Sequence, residues 1–147
     1  MEALDLQVFD IIALGDIPVR VMVAGAETVA LDFIGQRQST PFFVKINDPR
    51  LQDIKPSEEV LLLNGFQNRS DHTLKGCSTF TYRNNDQTIT VKIGDYIREE
   101  YFDERNYVNH ETIHAASLRE LQHALSTCRV KDKDGRRMIL DYIKPKN

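Results

Sequence analysis

Apolar and polar residues alternate along most of the first 94 residues, in short runs that turn residues interrupt. A period of two is typical of strands with one buried and one exposed face. Such runs are VFDIIAL and VRVMV, which flank Gly15-Asp16-Ile17-Pro18, then TVALDFI and PFFVKI. The pattern predicts a β-rich α+β fold of mostly antiparallel strands, with Pro41 at an edge strand or a strand start.

The segment STFTYRNNDQTITVKI predicts the clearest hairpin, and Asn84-Asn85-Asp86 suits its turn. Aromatic and β-branched side chains can share one face of this hairpin: Phe80, Tyr82, Ile89, Val91 and Ile93. The preceding stretch, NDPRLQDIKPSEEVLLLNGF, contains two prolines and one short apolar run. We interpret it as a long connection with a possible short helical turn, plus one strand at Val60–Leu63.

The chain has 147 residues, of which 41% are hydrophobic, enough to build the core of one compact domain. We therefore predict a single domain over 1–147. Its parts are a strand-rich region at 1–94, an acidic segment with the main helix at 95–128, and a basic turn and strand at 129–147.

Two cysteines, Cys77 and Cys128, lie far apart and without CxxC spacing, which favours reduced thiols over a disulfide framework. The amino terminus is acidic, and no apolar run has the length of a membrane span. These features predict an intracellular protein that does not contact membranes. The formal net charge of −3 gives no overall reason to expect nucleic acid as a partner.

Helical spacing appears in residues 107–128, where apolar and histidine side chains recur three or four positions apart. This spacing predicts one principal helix near 109–128. Ser117 and Glu120, however, match a capping box, which supports an alternative in which ETIHAA is a strand and the helix starts at Leu118.

Residues 110–114, HETIH, match the pattern H-E-x-x-H. On a helix, positions four apart differ by about 40°, so His110 and His114 would point the same way and could bind one ion. Glu111 would be offset from both and could accept a proton from a metal-bound water.

In VNHETIHAA the chain resembles the zincin metallopeptidases. The resemblance covers about nine residues. It implies zinc as cofactor, His110 and His114 as ligands, Glu111 as general base, and a peptide or protein substrate. Where metzincins have glycine and then a third ligand, this chain has Ser117 and Glu120. Glu120 is therefore the candidate third ligand, with Asp132, Asp134 and Asp141 as conceivable substitutes.

Residues 129–147 contain seven Lys or Arg and three Asp, so their net charge of +4 contrasts with the acidic remainder. Such a segment can hold phosphates or simply form a solvated terminus. Two functions follow as hypotheses. The first is a zinc-dependent, peptidase-like hydrolase. The second is a non-enzymatic binding or assembly module, for example a phage or viral one, that acts through strand edges or a basic C-terminal hairpin on nucleic acid or protein.

Overall fold

The computed structural model describes residues 4–35, 40–69, 78–94 and 110–145. These residues form nine strands and two helices in two sheets. The first sheet, in the order β4-β3-β2-β1-β5, contains β1 (Ile11–Leu14), β2 (Ile17–Ala24), β3 (Thr28–Phe33), β4 (Phe42–Lys45) and β5 (Leu51–Asp53). The second sheet, in the order β6-β7-β8-β9, contains β6 (Gln67–Asn68), β7 (Ser78–Arg83), β8 (Thr88–Ile93) and β9 (His110–His114). The helices are α1 (Glu58–Leu63) and α2 (Leu118–Thr127).

All neighbouring strands of the first sheet are antiparallel, as the alternation predicts. The predicted β1–β2 hairpin is confirmed, with Leu14 opposite Ile17, so Ile17 and Pro18 belong to β2 rather than to the turn. Gly15 supplies the turn with a φ of 67°, which glycine adopts at little cost. Pro41 precedes β4, which lies at the edge of the sheet.

The first sheet has its own apolar cluster on one of its faces. One cluster of apolar side chains draws on all five of its strands and on Leu4, Leu6 and Ile46, and contains no described residue from the second sheet or the helices. Phe33 and Phe42 stack within it with ring centroids 4.9 Å apart. The other large cluster contains residues of both helices, the second sheet, Ile11 and the C-terminal segment.

The predicted β7–β8 hairpin is confirmed, and the predicted shared face is present, because Phe80 lies opposite Val91 and Tyr82 opposite Ile89. The Asn84 side chain accepts hydrogen bonds from the backbone N–H groups of Asp86 (2.9 Å) and Gln87 (2.7 Å), which fixes the turn. The second sheet also contains one parallel pair, β8 with β9.

The predicted strand at Val60–Leu63 is wrong, because these residues belong to α1. Ser57 caps this helix by accepting the Val60 N–H, and Glu58 and Glu59 place negative charge in its first turn. Those two features outweigh the short apolar run, and the two buried positions of the helix are Val60 and Leu61.

The predicted helix over 109–128 is wrong in its first half, and the capping-box alternative is confirmed. Residues 110–114 form β9, and α2 begins at Leu118 with Ser117 as its N-cap. The Ala115 N–H donates to the Lys92 carbonyl of β8 (3.2 Å), and the Leu118 N–H donates to the Ile54 carbonyl (2.8 Å). Because these donors bond to other segments, a helix cannot extend backwards through them.

The predicted C-terminal turn is present, but the predicted strand after it is not. Residues 138–145 have no strand assignment, although Met138 and Leu140 are buried. The backbone of this segment forms hydrogen bonds with side-chain amides instead of with a neighbouring strand. Gln122 donates to the Met138 carbonyl (3.0 Å) and accepts the Leu140 N–H (2.8 Å). Asn64 donates to the Asp141 carbonyl (2.9 Å) and accepts the Asp141 N–H (2.8 Å).

The two sheets are joined by polar contacts from α2 and the C-terminal segment. Arg119 forms two hydrogen bonds to the Asp53 carboxylate, at 2.9 and 3.1 Å, and Arg20 donates to the Leu140 carbonyl (2.6 Å). Neither described helix has the length and apolar character needed to cross a bilayer. Cys77 and the acidic segment at 95–109 lie outside the described residues, while Cys128 is a free, half-buried thiol.

Candidate functional site

His110 and His114 lie on strand β9, where they share the face that also carries Thr112. Because a strand rises about 3.3 Å per residue, their backbones are about 13 Å apart. Side chains on a strand stand roughly perpendicular to the sheet, so these imidazoles do not converge as they would on a helix. His110 instead lies beside Thr90 of β8, with Nε2 2.9 Å from the hydroxyl oxygen.

Glu111 and Glu120 are not brought together with the histidines. Glu111 occupies the opposite face of β9 from His110 and His114, because successive side chains of a strand alternate. Glu120 belongs to the cap of α2: its N–H donates to the Ser117 hydroxyl (3.1 Å), and its carboxylate accepts the Ala116 N–H (3.1 Å).

No three His, Cys, Asp or Glu side chains of the described residues are grouped as metal ligands would be. Of the possible substitute ligands, Asp132 uses one carboxylate oxygen to accept the N–H groups of Asp134 (2.9 Å) and Arg136 (3.0 Å). Zinc binding at HETIH stays a prediction, and the strand removes the helical geometry on which it rests.

A separate cleft of about 560 Å³ lies between β6–β7 and the C-terminal turn. Volumes of this size are common for ligand sites. Polar and charged side chains from four segments line it, together with two glycines: Gly65; Gln67 and Arg69; Thr81, Arg83, Asn84, Asn85 and Asp86; and Lys131, Asp132, Lys133 and Gly135. We call this site the basic cleft, because it contains four cationic side chains and two carboxylates.

The backbone at Lys131 fixes one wall of the basic cleft. Its carbonyl accepts hydrogen bonds from the Tyr82 hydroxyl (2.7 Å) and from the Asn84 amide (3.0 Å), and its N–H donates to Gln87 (3.2 Å). Gln87 also donates to the carbonyls of Cys128 (3.2 Å) and Arg129 (3.3 Å). The β7–β8 turn therefore positions the C-terminal wall, while the Lys131 side chain remains exposed.

The C-terminal wall is a turn closed by its own hydrogen bonds. Lys131 and Arg137 form an antiparallel bridge, and the Asp132 N–H donates to the Arg136 carbonyl (2.7 Å). Lys133 reaches back over the Tyr82 ring, with its ammonium 4.9 Å from the centroid, and donates to the Arg83 carbonyl. These contacts hold the Lys133 ammonium against the β7–β8 hairpin, in the lining of the cleft.

Charge, not aromatic surface, distinguishes the basic cleft. Its four Lys or Arg against two Asp make it locally positive in a chain whose formal net charge is −3. None of the described residues that line it is aromatic, and Tyr82 beneath it is buried. Burial is also the main cause that raises the pKa of the Tyr82 hydroxyl, so this group stays protonated and keeps donating to Lys131.

The excess of Lys and Arg after residue 128 predicts a basic C-terminal segment, which forms one side of this cleft, but no feature of the sequence predicts that Arg69 and Arg83 belong to it. Both are isolated basic residues near or in strands, and no local pattern links them to residues 131–135. Only the fold brings the two groups together.

A buried pair, Asp10 and His123, joins the start of β1 to α2. The carboxylate is fully buried, lies 2.7 Å from His123 Nε2, and accepts the Gln7 N–H (2.8 Å). Its other oxygen has no hydrogen-bond partner among the described residues. Burial raises the pKa of the Asp10 carboxyl, and this outweighs the lowering by Gln7 and His123. We assign the pair to the fold rather than to the cleft, since neither residue lines it.

Comparison of the chain with protein-family models, with curated proteins and with solved structures finds no match.

Proposed function

We propose that this protein is a non-enzymatic binding module whose basic cleft holds the phosphate backbone of a nucleic-acid strand. The observation that carries the proposal is the convergence of Arg69, Arg83, Lys131 and Lys133 on one cleft in an otherwise acidic chain. Cationic side chains that neutralise several phosphates release condensed counterions, which is the main source of sequence-independent nucleic-acid affinity.

The shape and chemistry of the cleft favour a run of phosphates over a single small anion. The cations come from two sides, β6–β7 and the C-terminal turn, so a strand lying between them could contact both. With no exposed aromatic ring among the described lining residues, the cleft supplies no base-stacking platform. We therefore expect weak dependence on base sequence.

The competing hypothesis, a zinc-dependent hydrolase, receives less support from the geometry. Its general base, Glu111, and its two histidine ligands lie on opposite faces of one strand. A catalytic zinc site needs three protein ligands and a water that the base can reach. The described residues offer no such grouping.

A matched pair of lysine substitutions tests the proposal. Lys131→Ala removes a charge from the cleft, while Lys144→Ala removes the same charge from an exposed position of the C-terminal segment outside it. Binding to a fluorescein-labelled single-stranded oligonucleotide is measured by anisotropy over a range of salt concentrations. Each phosphate contact on a single strand contributes about −0.7 to the slope of log K against log salt, so three or four contacts give a slope of roughly −2 to −3.

We expect Lys131→Ala to weaken binding about three- to fivefold and to make the slope shallower by about 0.7, with Lys144→Ala close to wild type. Equal effects of the two substitutions would indicate attraction to a basic terminus as a whole. Absence of binding at low salt would reject the proposal.

A further inference from the structure

The outer edge of β4 carries the most exposed large apolar side chain in the described chain, Phe43, at 70% exposure. Phe43 lies opposite Ala30 of β3, which lies opposite Val23 of β2, itself 57% exposed. Directly opposed residues share a face of the sheet, so these three form an apolar strip that runs to the open edge. This face is the one opposite the enclosed cluster, because Phe42 and Val44 point into that cluster.

The backbone of β4 shows which peptide groups are open at this edge. The Ile46 N–H donates to the Glu27 carbonyl of the β3 side (2.9 Å). Hydrogen-bonded and non-bonded pairs alternate along an antiparallel ladder, so Val44 and Phe42 bond to β3, whereas Phe43 and Lys45 direct their peptide groups away from it. Consistently, the Lys45 carbonyl accepts the Asp48 N–H (3.0 Å) outside the ladder.

Four backbone groups along this edge have no backbone hydrogen-bond partner in the described part of the chain: the N–H and carbonyl of Phe43, the N–H of Lys45 and the carbonyl of Pro41. We propose that they pair with the same strand of a second copy of this chain, antiparallel, with the two-fold axis at Phe43. In this register Phe43 faces its own copy, Phe42 faces Val44, and Pro41 faces Lys45.

The open groups fit a second copy in detail. The two Phe43 residues exchange both of their hydrogen bonds, as an outward-facing antiparallel pair does. At the next pair, the Lys45 N–H can donate to the Pro41 carbonyl of the copy. The reverse bond is not needed, because proline has no N–H and the Lys45 carbonyl already accepts from Asp48. No peptide group loses a partner on pairing.

Side chains also match in this register. The two Phe43 rings lie opposite each other, where aromatic cross-strand pairs are stabilising. The only charged residue of β4, Lys45, faces proline rather than another lysine, so no like charges are opposed. Because β4 has only four residues, the pairing is short, and we expect a weak dimer that dissociates on dilution. This inference is independent of the basic cleft.

Two matched pairs of variants test the inference. Sedimentation equilibrium over a wide concentration range measures self-association of the wild type, of Phe43→Asp and of Ile17→Asp. Ile17 is also an exposed apolar residue, at 46%, but belongs to an internal strand. Phe43→Asp places two carboxylates opposite each other and should weaken the dimer at least tenfold, whereas Ile17→Asp should leave it within twofold.

Disulfide trapping tests the register itself. Phe43→Cys brings two thiols opposite each other, with Cα atoms about 5.5 Å apart, a separation that a disulfide can span. Lys45→Cys separates the two thiols by four residues, or roughly 14 Å along the strands, which is too far. Peptide mapping of mildly oxidised protein should find the link at position 43 and not at 45. A monomer up to the solubility limit, a dimer insensitive to Phe43→Asp, or equal trapping at 43 and 45 would overturn the inference.

Discussion

The Tyr82 hydroxyl donates a hydrogen bond of 2.7 Å to the Lys131 carbonyl, across 49 positions of sequence. Tyr82 is a core residue of the β7–β8 hairpin, packed against Phe66 at 5.4 Å between ring centroids. The bond therefore ties the wall of the basic cleft directly to the core of the second sheet.

Tyr82→Phe should lower the free energy of unfolding by about 1 kcal/mol, because it removes one hydrogen bond and leaves the Lys131 carbonyl with the Asn84 amide alone. It should also weaken oligonucleotide binding, since the cleft wall is less firmly placed. Tyr142→Phe is the matched control, because no hydrogen bond from the Tyr142 hydroxyl occurs within the described residues. Urea denaturation measures the free energy of unfolding of the two variants. An equal decrease in Tyr82→Phe and Tyr142→Phe would contradict the role of this bond.

The Gln122 side chain forms hydrogen bonds to the backbone of the C-terminal segment, as a neighbouring strand would. Gln122→Leu would leave the Met138 carbonyl and the Leu140 N–H buried without this partner, at a cost of about 2–4 kcal/mol. The same change at exposed Gln52 should stay within about 0.5 kcal/mol. Urea denaturation compares the two, with hydrogen exchange of the Leu140 amide as a local reading. Unchanged protection of that amide in Gln122→Leu would show that another group holds the segment.

Asp10 should make stability depend on pH. Because burial raises its pKa in the folded chain above the ordinary value of 3.8, the folded state binds more protons than the unfolded state between 3.8 and the raised pKa. The contribution of this carboxyl to the stability of the folded state is therefore fully present below pH 3.8, and it is lost as the pH rises through the pKa of the folded state. Asp10→Asn cannot titrate, so its free energy of unfolding should improve relative to wild type across that window. Urea denaturation at a series of pH values measures the free energy of unfolding of the wild type and of Asp10→Asn. The same dependence on pH in both proteins would contradict the prediction.

The histidines of HETIH provide a test of the zinc hypothesis. With His110 and His114 on a strand, we expect the double variant His110→Ala/His114→Ala to carry the same zinc content as wild type, measured by plasma mass spectrometry after purification without chelator. Stoichiometric zinc that disappears in a folded double variant would restore the hydrolase hypothesis. Glu111→Gln would then separate metal binding from catalysis.

The sequence predicts the β-rich fold well where alternation and turn residues agree. The β7–β8 hairpin is the clearest case, because Phe80, Tyr82 and their partners alternate and Asn84 forms the turn with its own side chain. The prediction from sequence fails where the spacing of apolar residues fits more than one secondary structure. Residues 107–128 satisfy helical spacing, but the Ser117 cap and the hydrogen bond from Ala115 to Lys92 decide in favour of a strand before α2. The first of these is visible in the sequence, and the second depends on tertiary pairing.

The sequence predicts less of the candidate site than of the fold, because the parts of the site are distant in sequence. The excess of positive charge after residue 128 indicates a basic C-terminal surface, but nothing local places Arg69 and Arg83 opposite Lys131. The HETIH motif is the opposite case, because its residues are contiguous in sequence but the fold decides their geometry. Its five residues match a pattern whose chemistry requires a helix, and their backbone bonds to β8 instead.

The most direct test of the central claim is an NMR titration of the ¹⁵N-labelled protein with a short single-stranded oligonucleotide. If the basic cleft is the binding site, the amide signals of Asn85, Asp86, Lys131 and Gly135 should shift most, and those of β4 should remain in place. The largest shifts on β4 or β9, or no shifts at low salt, would contradict the account.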